Sequence, residues 1–283
     1  MTHDQFISTV WNFYIENRRI LPWRPLRMQE STKWGAKHSY GVVVSEIMLQ
    51  QTQVDRVIPL FNNFLEKLPS WEHLSSATLK DVLLLWKGLG YNRRAQYLRE
   101  CAKKVIARGS FPQSHRDLLA LPGIGPYTAG MLMNTILNIS HPIIETNIRT
   151  VYLHHFFKNK KGITDAEIMN KIQKTYKKAC ATHGSREWQY ALMDYGSYIK
   201  KTFGNNNASQ SAHHKKQSKF KGSRRELRSA ILHSISASKK NVSIRSIQNT
   251  LKDHPRIEDF HIIIASLLHE EMIMQINQSL SIA

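Results

Sequence analysis

LPGIGPYTAG, from Leu121 to Gly130, is the stretch on which the reading of the fold turns. Gly123 and Gly125 allow a tight turn between a short helix ending near Leu121 and a second helix beginning near Pro126. Proline suits a first helical turn, where its missing amide hydrogen would have no partner in any case. Backbone amides at such a helix start can face a phosphate without reading a base. Taken alone, a GxG turn is a weak signal, because paired glycines join many helices. Its neighbours carry the rest of the argument.

Outward from the hairpin the pattern is helical almost throughout. Phe6, Val10, Phe13 and Tyr14 form one apolar stripe, and Val57, Phe61, Phe64 and Leu65 form another. Val82, Leu83, Leu85 and Trp86 form a third, which stops at Gly88. Thr164-Asp165-Ala166-Glu167 has the spacing of a capping box, in which hydroxyl and carboxylate satisfy each other's orphan amides. These positions read as core and caps rather than as chemistry.

Composition narrows the partners. The 283 residues, 41% of them hydrophobic, suffice for one large core or several smaller ones. Forty Lys and Arg against 21 Asp and Glu give a formal charge of +19, which favours a polyanion, nucleic acid ahead of an acidic membrane surface. The start, MTHDQFISTVWNFY, lacks the basic and apolar regions of a secretory signal, and no apolar run approaches the roughly 20 residues that cross a bilayer. A cytoplasmic or nucleoid location is expected. Cys101 and Cys180 are the only cysteines, too few for a disulfide framework or an iron–sulfur site.

After Phe203 the sequence becomes polar, GNNNASQSAHHKKQSKFKG, and reads as a linker over residues 203–222. His213 and His214 within it lack further ligands nearby in sequence and read as surface. Beyond it, Ser223-Arg224-Arg225-Glu226 offers a second capping box, and Leu227, Ile231 and Ile235 follow at helical spacing. VSIRSIQNTL and IEDFHIIIASLLHEE read as two more helices, and MIMQINQSLSIA as a hairpin turning at Asn277-Gln278. Three helices and a hairpin predict a small winged-helix-like domain over 223–283. Such modules bind DNA or mediate protein contacts; Lys215, Lys216, Lys219, Lys221, Arg224, Arg225 and Arg228 at its entrance favour DNA.

LPWR (Leu21–Arg24), SEIMLQQTQV (Ser45–Val54), LWKGLGYNRRA (Leu85–Ala95), LPGIGPYTAG and PIIETNIRTV (Pro142–Val151) stand in one order and register along the chain. In that set it resembles the helix-hairpin-helix (HhH-GPD) DNA glycosylases, and among them the MutY-type adenine DNA glycosylases, over about Met1–Tyr198. The resemblance implies an all-α, two-lobed fold with the small winged-helix-like domain appended. The glycosylase region would span 1–202, with lobe one at about 31–140, lobe two at about 1–30 plus 141–202, and a cleft between them. It further implies a monomer acting on double-stranded DNA with a mismatched or damaged base pair.

Site residues follow by the same resemblance. Glu46 matches the acid that protonates N7 of adenine, a role open to a glutamate kept partly protonated by burial; its competing reading is an exposed helix carboxylate. Gln51 matches a residue that wedges into the base stack, and Tyr91 an aromatic that intercalates near the opposing base, although Tyr91 also suits packing behind a glycine turn. Glu145 stands where the family's catalytic aspartate is found, with Asn147 at the position of an asparagine that organises the site. A fixed carboxylate there stabilises the positive charge that develops on the deoxyribose. Its extra methylene is a departure, and compensation by the backbone is expected, because Glu46, Tyr127 and Asn147 keep their matching positions.

Tyr127 occupies the place of the lysine that forms a Schiff base in bifunctional relatives, so strand cleavage by that route is not expected and a hydrogen bond from its phenol to Glu145 is. Gly123 and Gly125 are expected at phosphate. Most MutY-type enzymes hold an iron–sulfur cluster on four cysteines after a segment matching ALMDYGSYI. Here Lys200 takes the first of those positions, so no cofactor and no metal is expected. Lys200, Lys201, Lys215 and Lys216 are expected to supply positive charge to DNA instead. The tail does not resemble the family's 8-oxoguanine-reading domain.

The expected activity is therefore monofunctional excision of mispaired adenine, opposite 8-oxoguanine or guanine, in base excision repair. Two alternatives stay open: a glycosylase for thymine or uracil opposite guanine, and a non-catalytic DNA-binding lesion sensor.

Overall fold

Thr2 begins the first helix by accepting the Gln5 amide on its hydroxyl, while the Gln5 side chain takes the Thr2 amide, a reciprocal cap. In this computed structural model, which describes residues 1–24, 36–158, 160–204, 219–238 and 240–283, helix follows helix. The first are α1 (His3–Asn17), α2 (Ala36–Leu49), α3 (Val54–Lys67), α4 (Trp71–Ser76), α5 (Leu79–Leu85), α6 (Arg93–Arg108) and α7 (His115–Leu119). Then come α8 (Pro126–Thr135), α9 (Thr146–Phe156), α10 (Asp165–His183), α11 (Ser185–Phe203) and α12 (Arg224–Ala237). The chain ends with β1 (Val242–Ser243), α13 (Ile244–Thr250), a 3-10 turn, α14 (Phe260–His269), β2 (Ile273–Ile276) and β3 (Ser279–Ile282).

One compact unit gathers the described residues of Met1–Val42 and Pro112–Lys216. Phe6, Val10 and Tyr14 of α1 meet Ile148, Val151 and Tyr152 of α9 and Trp188 and Leu192 of α11 in a single buried core. The capping box at Thr164 and Glu167 is formed, and it starts α10 as the spacing predicts. Arg24, from LPWR, is buried and donates from Nη1 to both oxygens of Asp194, at 2.9 and 3.0 Å, while Arg19 Nε takes the same carboxylate at 2.6 Å. A buried charge needs such a partner. This pair ties the chain after α1 to the middle of α11.

The second unit gathers the described residues of Val43–Phe111 and Gln217–Ala283. Val57, Phe61 and Phe64 bury one stripe of α3, and Val82 and Trp86 are buried at α5. The tail forms the expected winged-helix arrangement: β1, β3 and β2 lie in that order in an antiparallel sheet, and Asn277, at φ 54°, sits in the two-residue turn. Two helices predicted as continuous are divided. Val242 and Ser243 pair with Leu280 and Ser279 before α13 begins, and Ile257–Asp259 form a 3-10 turn before α14. Strand pairing across the sheet overrides local helical periodicity in the first case. At Ser223 the hydroxyl caps Glu226 N as expected, but the Glu226 carboxylate takes the Gly222 amide rather than that of Ser223.

Two boundaries differ from those read in the sequence. The hairpin segment, expected within a lobe of 31–140, packs with the first unit: Met131 of α8 lies in one core with Ile143, Ile148 and Trp188. The tail, expected as a separate domain over 223–283, belongs to one compact unit with residues 43–111. There α12 packs on α5, Gln96 Nε2 donates to Glu270 O at 3.2 Å, and Lys80 donates to Ser238 O. Most of the linker read over 203–222 lies outside the described residues, with Lys215, Lys216, His213 and His214, as do residues 25–35.

Candidate active site

Glu145 ends an extended approach, PII, and caps α9 with φ −133° and ψ 176°. Its Oε1 accepts the backbone amides of Asn147 at 2.6 Å and Ile148 at 2.8 Å, so a carboxylate meets the positive end of the helix. Two missing side chains let this happen. A Cβ on Gly130 of α8 would stand 2.4 Å from Ile143 Cγ2, so only glycine lets the approach to Glu145 lie against α8. A Cβ on Gly196 of α11 would stand 2.4 Å from the Asn147 carbonyl oxygen, so only glycine lets α11 cross α9 this closely.

One helical turn beyond Gly196, Lys200 projects on the same face of α11 and donates from Nζ to Asn147 Oδ1 at 2.7 Å. The other end of that amide, Asn147 Nδ2, lies 3.5 Å from Glu145 Oε2. Arg149, one turn into α9, is held by Asp165 through contacts of 2.8 and 3.2 Å. Burial raises the Glu145 carboxyl above its ordinary pKa; the Ile148 amide, Lys200, the Asn147 amide and Arg149 oppose that rise. Glu145 is part-buried as a residue, and the packing around its carboxylate is dense. Burial likewise lowers the Lys200 ammonium, Glu145 raises it, and Arg149 lowers it again. A carboxyl group held above its ordinary pKa and an ammonium held below its own are thereby kept within one short chain of contacts.

The hairpin has the predicted form. Gly123 turns at φ 79°, Gly125 caps α8 in extended conformation, and Pro126 opens the helix. Nothing lies within 4 Å of where a Gly125 Cβ would be, which leaves room for a ligand against the turn. Tyr127 is half-buried against the core that contains Met131 and Ile143. The bonds described at the Glu145 carboxylate run to Asn147 and Ile148.

In the second unit, Glu46 is buried in α2, at 8% exposure, rather than on a solvated face. Gln51 and Tyr91 both take left-handed backbone, at φ 57° and 47°, and both are exposed. One residue braces both turns. Arg94 donates from Nη1 to the carbonyls of Ile47, Met48 and Gln50 at 2.7, 3.1 and 2.6 Å, and from Nη2 to those of Leu89 and Gly90 at 3.0 and 3.1 Å. It thus closes the end of α2 against the GLGY turn, and burial pushes its guanidinium down to about 10. Tyr91 keeps its ring exposed and accepts a hydrogen bond on its hydroxyl from Arg225 Nη1 of α12, at 2.8 Å.

Residues 44–178 match the family described as "HhH-GPD superfamily base excision DNA repair protein". The chain carries an HhH-GPD domain over these residues. Among relatives, the adenine DNA glycosylase of Buchnera aphidicola subsp. Schizaphis graminum is 34% identical over 202 residues, 70% of this chain and 55% of that protein. The adenine DNA glycosylase of Mus musculus is 38% identical over 149 residues, 52% of this chain and 28% of that protein. The chain spans about half the length of the bacterial relatives it matches. Among solved structures, a thermostable thymine-DNA glycosylase superposes with TM-score 0.55 at 23% identity, over 74% of this chain and 94% of that one. The 3-methyladenine DNA glycosylase MagIII of H. pylori, bound to 1,N6-ethenoadenine, does so with TM-score 0.54 at 12% identity, over 72% and 99%. These two likenesses establish the HhH glycosylase fold.

Within this HhH-GPD fold, Glu145, Asn147 and Lys200 come together, as do the turns bearing Gln51 and Tyr91. Lys200 requires a correction: it was expected to face phosphate, and it turns inward to Asn147, because Gly196 brings α11 close enough for its ammonium to reach that amide. Lys201 beside it is exposed. Cys101 is buried in α6 and Cys180 is half-buried in α10. Among the described residues, no group of three or more His, Cys, Asp or Glu is placed to hold a metal, and no helix is long and apolar enough to cross a membrane. Arg94 and Gly196 went unread in the sequence. Gly196 left a signal, a glycine inside a helical pattern, whereas Arg94, in an arginine pair one residue past GLGY, reads equally as surface charge.

Proposed function

We propose that this protein is a monofunctional DNA glycosylase that excises adenine mispaired with 8-oxoguanine or guanine, acting as a monomer in the cytoplasm or nucleoid without a metal or iron–sulfur cofactor. The observation that carries the reading is Glu145. Its carboxylate is fixed by two backbone amides, burial disfavours its charge, and the residue as a whole is only part-buried. Such a group gains most when a positive charge forms beside it. The names of the relatives supply adenine as the base.

In the proposed reaction, Glu46 delivers a proton to N7 of the flipped adenine. The N-glycosidic bond then breaks with its electron pair leaving on the base, and Glu145 stabilises the positive charge left on the sugar. Water adds at C1′, its proton passes to Glu145, and free adenine and an abasic site remain. Tyr127 has no amine with which to form a Schiff base. Gln51 and Tyr91 fill the gap left in the duplex, and the amides around Gly123 and Gly125, with Lys201, hold the backbone. Lys215 and Lys216 add to the positive charge that favours DNA.

The test is product analysis on a duplex containing A opposite 8-oxoguanine. Free adenine is expected, with a strand that breaks only after alkali and no protein–DNA adduct trapped by borohydride. A trapped adduct would exclude the monofunctional route.

A further inference from the structure

Lys200 holds a place that the proposed chemistry does not use. Its ammonium is half-buried and points along the Asn147 amide toward Glu145, with Nζ 2.7 Å from Oδ1 and Nδ2 3.5 Å from Oε2. An asparagine amide has a donor end and an acceptor end, and only the nitrogen end suits a carboxylate. A cation on the oxygen fixes which end faces Glu145. Without it, the amide is free to turn and present its oxygen to the carboxylate.

The other charges around Glu145 are differently committed. Arg149, from α9 itself, is clamped by Asp165 of α10, so its charge is largely balanced. From α8, Tyr127 packs against the same core. From α11 it is Lys200, brought into range by the close crossing at Gly196. Asp165 is engaged with Arg149 and offers no positive charge.

We propose that Lys200 is a positioning residue for the reaction: it orients the Asn147 amide and keeps the Glu145 carboxylate ionised, rather than contacting DNA phosphate. This rests on the glycosylase reading, but it makes a claim about the free protein too. Burial opposes ionisation of Glu145, and Lys200 is among the groups that counter it. Loss of Lys200 therefore raises the Glu145 midpoint, so the pH below which activity fails moves upward. Arginine retains both charge and donors at this site.

The experiment compares wild type with Lys200→Met, Lys200→Gln and Lys200→Arg in two readouts. The first is the titration of the Glu145 side-chain carboxyl by carbon-13 NMR in the full chain without DNA. The second is the pH profile of single-turnover adenine release, with DNA affinity measured across salt concentrations. Expected are a higher Glu145 midpoint and a matching shift of the acid limb in Lys200→Met. The rate at neutral pH should fall roughly tenfold or more, within the range that misplacement of a reacting group costs. Lys200→Arg restores both readouts, and the salt slope of DNA binding is unchanged in all variants. If Lys200→Met fails to fold, Lys200→Gln, which keeps a donor without the charge, carries the same comparison. An unmoved midpoint and acid limb would overturn the proposal, as would a loss confined to DNA affinity. Should wild type release no adenine, the glycosylase reading fails, while the NMR titration still decides the role of Lys200.

Discussion

Glu145 is one methylene longer than the aspartate expected at its position, and that length bears on how its carboxylate is held. The longer side chain folds back so that Oε1 reaches two amides of α9 while Oε2 lies toward Asn147. Glu145→Asp keeps a strong N-cap, so its melting temperature should stay within a few degrees of wild type. The carboxylate would nevertheless retreat by about 1 Å, and single-turnover rates should fall about a hundredfold. A rate equal to or above wild type would mean that the backbone is not fitted to glutamate. Because burial raises the Glu145 pKa and the reaction uses its ionised form, the rate should decline on acidification at a pH above the ordinary glutamate range. A pH profile flat down to that ordinary range would contradict this. Glu145 and Asn147 were singled out in the sequence by the resemblance of PIIETNIRTV to the family's motif. Arg94 was not, because burial and five carbonyl partners from two separate turns leave no trace in a one-dimensional pattern.

Helix crossings set the geometry of the site. α9 and α11 meet at Gly196, where a methyl group would overlap the Asn147 carbonyl, and Lys200 follows one turn later on the same face. Gly196→Ala should therefore destabilise the fold by ~1–3 kcal/mol through overpacking, readable in chemical denaturation, and lower activity by pushing Asn147 away from Lys200. Unchanged stability would show that the crossing has slack. The elements themselves were largely readable: the hairpin at Gly123 and Gly125, the capping box at Thr164 and the turn at Asn277-Gln278 all formed where local chemistry placed them. Their grouping was not. The hairpin helix joins the core of α9 and α11, and the tail joins residues 43–111, because these associations depend on which apolar faces meet across long sequence separations.

At the scale of the whole molecule, the excess of 40 basic over 21 acidic residues predicts salt-dependent DNA binding. Lys201, exposed beside the inward-facing Lys200, should contribute to it: Lys201→Gln should reduce the salt slope by about 1 without changing the rate of the bound complex. An unchanged slope would remove Lys201 from the interface. Adenine excision itself is tested most directly by base release under single-turnover conditions from duplexes containing A:8-oxoguanine, A:G, T:G and U:G, using wild type and Glu145→Gln. Release from the two adenine duplexes alone, abolished by Glu145→Gln, is the predicted result. Release of thymine or uracil without adenine, or adenine release that survives Glu145→Gln, would contradict it.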